Sequence, residues 1–166
     1  QHKADSKFKA LFRRGTELLH RGKAQEAAAL LEEAHSLRPE HFDASLNLSG
    51  AYILTKKFKQ AVSLLEILRN QAPENAMVWT NLGAAYLGNP VLARDEEQLR
   101  AIAAFDRALV LNPAAPNVAH NIGLISRARR EYDVAIAWFQ RALQANPNDQ
   151  DARNLIAKLS EMNGRT

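Results

Sequence analysis

Apolar residues recur along this chain at intervals of three and four positions, which is the period of an amphipathic α-helix. Leu11, Leu18 and Leu19 show this spacing near the start, and no stretch alternates apolar and polar residues as a strand does. Turn-forming residues interrupt the pattern, so the helices are expected in pairs. The predicted pairs cover residues 7–20 with 23–36, 41–54 with 57–70, 75–87 with 94–110, and 115–128 with 131–144.

Four prolines divide the chain into similar segments. Pro39 and Pro73 are 34 residues apart, as are Pro113 and Pro147, and the middle interval is 40 residues. In each segment an alanine stands twelve positions before the proline, and a leucine or phenylalanine stands eight positions before it. These residues are Ala27, Ala61, Ala101 and Ala135, with Leu31, Leu65, Phe105 and Phe139. A period of 34 residues predicts an array of helical repeats, in which each repeat buries its apolar face against its neighbours.

The residue sizes at the fixed positions resemble those of the tetratricopeptide repeat. The third segment shows the likeness best, with Trp79, Leu82, Gly83 and Tyr86 on one helix, Ala101, Phe105 and Ala108 on the next, and then Pro113. This resemblance implies an all-α fold, namely an α-solenoid of four helix-turn-helix repeats with a C-terminal capping helix. One domain over residues 1–166 is expected, with repeats at about 8–41, 42–75, 76–115 and 116–149, and the capping helix at 150–163.

The capping helix is predicted from the pattern after Pro147. Ala152, Leu155, Ile156 and Leu159 share one face of this segment, and charged residues occupy the other face. A repeat array needs such a helix at its end, because the last repeat otherwise leaves its apolar side in water.

One position of the first helix is small in every repeat, where it is Gly15, Ser49, Gly83 or Gly123. Glycine inside a helix costs roughly 1 kcal/mol relative to alanine, so its recurrence at one position needs a packing reason. We predict that the small residue lets the two helices of a repeat approach closely.

An asparagine recurs on the first helix of three repeats, eight residues after a segment-closing proline, as Asn47, Asn81 and Asn121. Asparagine is a poor residue inside a helix, because its amide competes for backbone hydrogen bonds. The series resembles the asparagine ladders of helical-repeat proteins, whose amides hold the backbone of an extended peptide. A second interpretation stays open, in which the amides only bond neighbouring helices.

The resemblance places the first helices on a concave groove, and other residues of their inward face are further candidates for partner binding. Arg13, His120 and Arg127 are candidate polar or charged selectors. The apolar candidates can equally be packing residues, and these are Phe12, Leu46, Met77 and Leu124. The full predicted partner-binding set is Asn47, Asn81, Asn121, Arg13, Phe12, Leu46, Met77, Asn117, His120, Leu124 and Arg127.

The third repeat carries six extra residues within the run from Leu87 to Arg100. Asp95, Glu96 and Glu97 are expected at the start of the second helix, whose positive end favours acidic side chains. A simple surface elongation and a dedicated docking edge are the two interpretations of this insertion.

Composition narrows the function further. The chain has 166 residues, no cysteine and a net charge of +4, but its charges are patchy rather than a continuous basic stripe, which argues against nucleic acid as the partner. No metal-ligand spacing, phosphate-binding loop or nucleophile motif is present, so neither an enzyme nor a cofactor or metal site is predicted.

No apolar run approaches the roughly 18 residues of a membrane span. The compartment stays open between the cytoplasm, taken as the default, and a periplasmic or membrane-anchored place, since the first residue is Gln1 and an upstream segment could have been removed.

The sequence therefore predicts a non-enzymatic scaffold for protein-protein interaction that binds a partner peptide or segment in the concave groove. Two alternatives are a self-assembling oligomer, in which the groove is idle, and an accessory repeat domain of a larger or membrane-anchored protein.

Overall fold

The computed structural model describes residues 2–90 and 92–164, which form nine α-helices and no strand. The chain divides into two compact units, one up to Pro73 and the other from Glu74 onward. Unit 1 contains α1 (His2–His20), α2 (Ala24–Leu37), α3 (Phe42–Leu54) and α4 (Phe58–Gln71). Unit 2 contains α5 (Ala76–Leu87), α6 (Asp95–Leu111), α7 (Val118–Ala128), α8 (Tyr132–Ala145) and α9 (Gln150–Asn163). None of the helices in the described ranges is both long and apolar enough to cross a membrane.

The core of unit 1 lies between successive helices. Leu18 of α1, Ala27 and Leu31 of α2, and Leu48 and Ala51 of α3 form one buried cluster. Each of these positions follows from the three-and-four spacing of the sequence, which places them on the inner faces of their helices.

Among the described residues of unit 2, one buried cluster lies on each side of α7. Phe105 of α6 packs with Val118 and Ile122 of α7, and Phe139 of α8 packs with Leu155 and other residues of α9. The predicted capping helix at 150–163 is confirmed, because α9 buries Ala152, Leu155 and Leu159 and turns its charged side chains outward.

The small position of the first helix lies directly against the second helix, as predicted. A Cβ atom on Gly83 would lie 2.5 Å from the Phe105 ring, and one on Gly123 would lie 2.6 Å from the Phe139 ring. The same atom on Gly15 would lie 2.8 Å from Leu31. The close approach of the two helices therefore depends on the missing side chain in these three repeats.

In three cases, the side chain two residues after a segment-closing proline caps the N-terminus of the next helix. His41 Nδ1 accepts a hydrogen bond from Ala44 N–H at 3.1 Å, Asn75 Oδ1 from Val78 N–H at 3.1 Å, and Asp149 Oδ1 from Ala152 N–H at 2.9 Å. Such a bond satisfies a backbone donor that the first turn leaves open.

The start of α7 differs from its prediction at residue 115. Ala115 occupies the same position after Pro113 but has no side-chain acceptor, and α7 begins three residues later at Val118. Asn117 precedes it in a left-handed backbone conformation with φ of 67°.

The start of α1 also differs, since the helix begins at His2 and not at residue 7. Residues 2–6 are polar except for Ala4 and show no apolar period, so the pattern could not reveal this turn. Ion pairs hold this end of α1 against the C-terminal part of α2, because Asp5 binds Arg38 and Lys7 Nζ lies 3.0 Å from Glu33 Oε1.

The insertion of the third repeat lengthens both a loop and a helix. Seven residues separate α5 from α6, where three separate the paired helices of the other repeats. In addition, α6 begins three positions earlier before its closing proline than α2, α4 and α8 do. The three acids at 95–97 lie in its first turn, as predicted, and the backbone N–H of Arg94 donates to Glu97 Oε2 at 2.6 Å. Val91, which falls within the predicted insertion, lies outside the described residues.

The first turn of α6 contacts the α7–α8 connection. Arg129 Nη1 donates to Gln98 Oε1 at 3.0 Å and also binds Asp95, so two residues of this turn hold one arginine of the fourth repeat. The hydrogen bond and the charge of Asp95 raise the pKa of Arg129.

Candidate functional site

The first-helix face of unit 1 consists of Phe12, Arg13 and Thr16 on α1 with Leu46 and Asn47 on α3. Phe12 is half-buried, since its ring stacks on Phe8 at 5.8 Å and meets the His41 ring at 5.1 Å. Leu46 is only 7% exposed, whereas Arg13 is exposed. Of the predicted residues in this unit, Phe12 and Leu46 therefore serve mainly in packing, and Arg13 offers its charge to solvent.

Asn47 has a hydrogen-bond partner inside unit 1. Its Nδ2 donates to Thr16 Oγ1 at 3.1 Å, which joins α3 to α1. The second interpretation of the asparagine series, a bond between neighbouring helices, describes this residue.

Unit 2 has a cavity of about 220 Å³ on its first-helix face. Met77, Asn81 and Asn117 come from the predicted set, and Met77, which is 57% exposed, brings an apolar side chain to the cavity. The lining residues are Ala76, Met77, Thr80, Asn81, Asn112, Ala115, Pro116 and Asn117.

The side-chain amides of Asn81 and Asn121 differ from that of Asn47 in their hydrogen bonding. Neither side chain makes a hydrogen bond within the described residues, and both are half-buried. Thr16 lies in the repeat before Asn47, and the equivalent position in the repeat before Asn121 is Ala84, so no hydroxyl is offered to Asn121. An amide in this state has both a donor and an acceptor available for a peptide group.

Leu124 and Arg127 complete the predicted set on α7, where both are half-buried. Leu124 packs against the cluster that contains Phe139, and it contributes a partly exposed apolar surface beside Asn121.

His120 is bound within unit 2. Its Nδ1 lies 2.9 Å from Asp149 Oδ2 and its Nε2 lies 3.2 Å from Asp151 Oδ2, while its ring meets the edge of Phe139 at 5.5 Å. The imidazole therefore links α7 to the start of α9. Burial alone would raise the pKa of Asp149, but hydrogen bonds from Ala152 N–H and His120 outweigh it and lower the pKa.

Five lining residues of the cavity lie outside the predicted set, namely Ala76, Thr80, Asn112, Ala115 and Pro116. Asn112 Oδ1 accepts a hydrogen bond from Ala114 N–H at 3.0 Å and thereby shapes the turn that contains Pro113, and Ala115 and Pro116 continue this turn. The signal was present, because an asparagine before a proline favours a turn and this turn precedes a first helix.

The described part of the chain holds no group of three or more side chains that could bind a metal ion.

Comparison with known proteins identifies the repeats. Two tetratricopeptide repeat profiles match residues 18–85 and 98–150. The chain is 25% identical to the peroxisomal targeting signal receptor of Pichia angusta over 187 aligned positions, which cover 90% of this chain and 33% of that protein. It is also 25% identical over 97 positions to the BBSome complex member BBS4 of Xenopus tropicalis, covering 58% of this chain and 18% of that one. The chain thus spans a third or less of the length of these curated relatives.

Solved structures show the same fold. A thermophilic TPR protein of Thermus thermophilus matches with a TM-score of 0.79 and 23% identity, over 95% of this chain and 84% of that one. MamA from Desulfovibrio magneticus matches with a TM-score of 0.68 and 25% identity, over 86% of this chain and 77% of that one. The fold class is an α-solenoid of helix-turn-helix repeats, and this class is a protein-interaction fold. With its small positions, its helix pairs and its two matching profiles, the chain belongs to the tetratricopeptide repeat family.

Proposed function

We propose that this chain is a non-enzymatic scaffold that captures an extended segment of a partner protein on its first-helix faces. Unit 2 supplies the anchor, in which one apolar side chain of the segment enters the cavity beside Met77. The amides of Asn81, Asn117 and Asn121 bind the backbone of the segment on either side of that anchor.

The observation that carries this proposal is the composition and size of the cavity. Its lining includes the apolar residues Met77, Ala115 and Pro116, and three asparagines and Thr80 add donors and acceptors. A volume of about 220 Å³ is smaller than the pockets of roughly 300–1,000 Å³ that enclose drug-sized molecules. It suits a single side chain of a bound peptide better than a cofactor.

The available amides of unit 2 support recognition of the peptide backbone. An amide pairs with a peptide group through its donor and its acceptor at once, and it does so without selecting a side chain. Selectivity then comes from the anchor cavity and from the charge of Arg127. The relative from Pichia angusta is by its name a receptor for a targeting signal, which agrees with a role in binding a segment of another protein.

The test begins with a displayed library of random peptides, selected on the full chain, followed by measurement of Kd for the selected peptides. The double variant Asn81→Ala/Asn121→Ala should weaken binding by roughly tenfold, about 1.4 kcal/mol. Asn47→Ala is the matched control, and we expect it to change Kd less, because its amide is already bonded to Thr16.

A second variant tests the same amide without removing it. Ala84→Thr offers Asn121 the hydroxyl that Thr16 offers Asn47, so it should weaken peptide binding while helicity stays unchanged. Undiminished affinity in the double variant, or equal losses in Asn47→Ala and the double variant, would remove the proposed role of these amides. If a selected peptide binds but does not protect Met77 from oxidation, the anchor lies elsewhere.

A further inference from the structure

Five basic residues lie at one edge of unit 1, and we call them the basic edge: Arg21, Lys23, Lys56, Lys57 and Lys59. The first two lie in the α1–α2 connection, and the others lie in the α3–α4 connection or in the first turn of α4. The two connections are at the same end of the unit, because Leu18 and Leu19 at the end of α1 pack with Ala51 and Tyr52 at the end of α3.

The basic edge is not neutralised within unit 1. All five residues are exposed, and none of them forms an ion pair in the described part of the chain. The neighbouring acid Glu17 is held by Arg14 at 3.4 Å, and Glu26 lies exposed in the first turn of α2. The corresponding connection of unit 2 is different, since Arg129 there binds Asp95, Glu131 and Gln98.

An apolar side chain stands among these cations. Leu54 is the last residue of α3, directly before the α3–α4 connection, and it is 61% exposed. A leucine between exposed lysines resembles the composition of surfaces that enter the boundary between lipid headgroups and acyl chains.

We propose that the basic edge docks unit 1 on a membrane surface that contains anionic phospholipids, with Leu54 entering the headgroup region. Lysines are flexible point charges, so they suit a set of mobile headgroups better than one ligand of fixed shape. The five cations also come from two separate connections, so their charge is spread along an edge, as contact with an extended surface requires.

Nucleic acid fits this edge less well, because its single strands are held by exposed aromatic rings as well as by charge. Tyr52, an aromatic residue near these cations, is half-buried with Lys57 Nζ 6.0 Å from its ring centre. Its hydroxyl donates to Glu32 Oε1 at 2.9 Å. Burial, and then the bond to Glu32, raise the pKa of Tyr52 to about 12, so it remains a donor and not a phenolate.

The experiment is co-sedimentation of the full chain with phosphatidylcholine vesicles that contain about one third phosphatidylserine, in about 0.1 M salt. We expect binding to these vesicles, no binding to pure phosphatidylcholine, and release in about 1 M salt. The variant Lys56→Gln/Lys57→Gln/Lys59→Gln should lower the partition coefficient by roughly a hundredfold, because each cation near such a surface contributes roughly fivefold.

A matched control removes the same charge elsewhere. Lys3→Gln/Arg107→Gln/Lys158→Gln changes three exposed cations that are not part of the basic edge, so it should retain most of the binding. Leu54→Trp should strengthen vesicle binding and Leu54→Ser should weaken it, and neither change should disturb the core because Leu54 is largely exposed.

Equal losses in the two triple variants would overturn the proposal, since binding would then follow net charge alone. Absence of vesicle binding by the wild-type chain would overturn it as well. Tighter binding to polyglutamate or to a single-stranded oligonucleotide, at the same salt and through the same three lysines, would assign the edge to an acidic protein or to nucleic acid instead.

Discussion

The contact between Gly83 and Phe105 gives the sharpest prediction about stability. A Cβ atom at residue 83 would lie 2.5 Å, 2.6 Å and 2.9 Å from three carbon atoms of the Phe105 ring. The ring is fully buried, so it cannot swing away as the end of a surface side chain could. Gly83→Ala therefore forces either the ring or α5 to shift.

Two opposing effects set the size of this change. Alanine is better than glycine inside a helix by about 1 kcal/mol, whereas overpacking a filled core costs typically about 1–3 kcal/mol. A rigid aromatic ring at these distances places the overpacking near the upper end of that range. We expect unit 2 to lose about 1–2 kcal/mol of unfolding free energy.

Urea unfolding followed by tryptophan fluorescence measures this loss, because Trp79 and Trp138 are the two tryptophans of the chain and both belong to unit 2. Gly50→Ala is the matched control. Its new Cβ would have Leu19 Cδ2 at 4.0 Å as its nearest neighbour, so it should gain up to about 1 kcal/mol, measured by circular dichroism. If Gly83→Ala raised the unfolding free energy as the control does, the packing reason for the glycine would be wrong.

A rescue variant tests the same contact from the other side. The second repeat carries Ser49 and Leu65 at the positions of Gly83 and Phe105, and both are fully buried. A leucine in the second helix thus coexists with a Cβ in the first. Gly83→Ala/Phe105→Leu should be more stable than the sum of its single changes by about 1 kcal/mol or more, whereas additivity would show that the two residues do not clash.

Three further predictions concern backbone strain, acid and helix starts. Lys56 has φ of 63°, and Lys56→Gly should raise the unfolding free energy by about 1 kcal/mol, because relief of the left-handed conformation outweighs the entropy of glycine; thermal unfolding measures it. The pKa of Asp149 is lowered from 3.8, so its charge stabilises the folded state above that pH and this contribution is lost on further acidification. Asp149→Asn keeps a side-chain acceptor for Ala152 and should show a smaller fall in unfolding free energy between neutral pH and pH below 3.8 than the wild type does. Asn75→Ala should cost about 1 kcal/mol in urea unfolding by removing the bond to Val78 N–H, and an unchanged midpoint would contradict this.

The fold could be predicted from the sequence because packing requires residues of the same size at the same positions of each segment. Ala27, Ala61, Ala101 and Ala135 are all fully buried, and every predicted helix is present. The two boundary errors larger than one residue arose where local contacts, and not the apolar pattern, determine the start of the helix. Ion pairs extend α1 to His2, and the missing acceptor at Ala115 delays α7 to Val118.

The candidate site was only partly readable. The spacing located Asn47, Asn81 and Asn121 on corresponding positions of their helices. It could not distinguish a side-chain amide that already has a hydrogen-bond partner from one that has none. That difference depends on the residue across the helix interface, which is Thr16 for Asn47 and has Ala84 as its counterpart for Asn121. Asn112 and Ala115 joined the cavity through a turn, and turns lack the period on which the prediction was built.

Stability alone does not explain which residues occupy the connections between paired helices. Gly22, Lys56 and Arg130 each stand seventeen positions before a closing proline, and all three adopt positive φ. Glycine adopts this conformation without strain, so the lysine at 56 lowers stability relative to the residue that the first repeat uses. Lys56 is exposed, so its charge faces water and takes no part in the core. If Lys56→Gly raised the unfolding free energy and also weakened vesicle binding, the lysine would lower stability while its charge serves the basic edge, whereas a stabilised variant with unchanged binding would separate Lys56 from the proposed membrane contact.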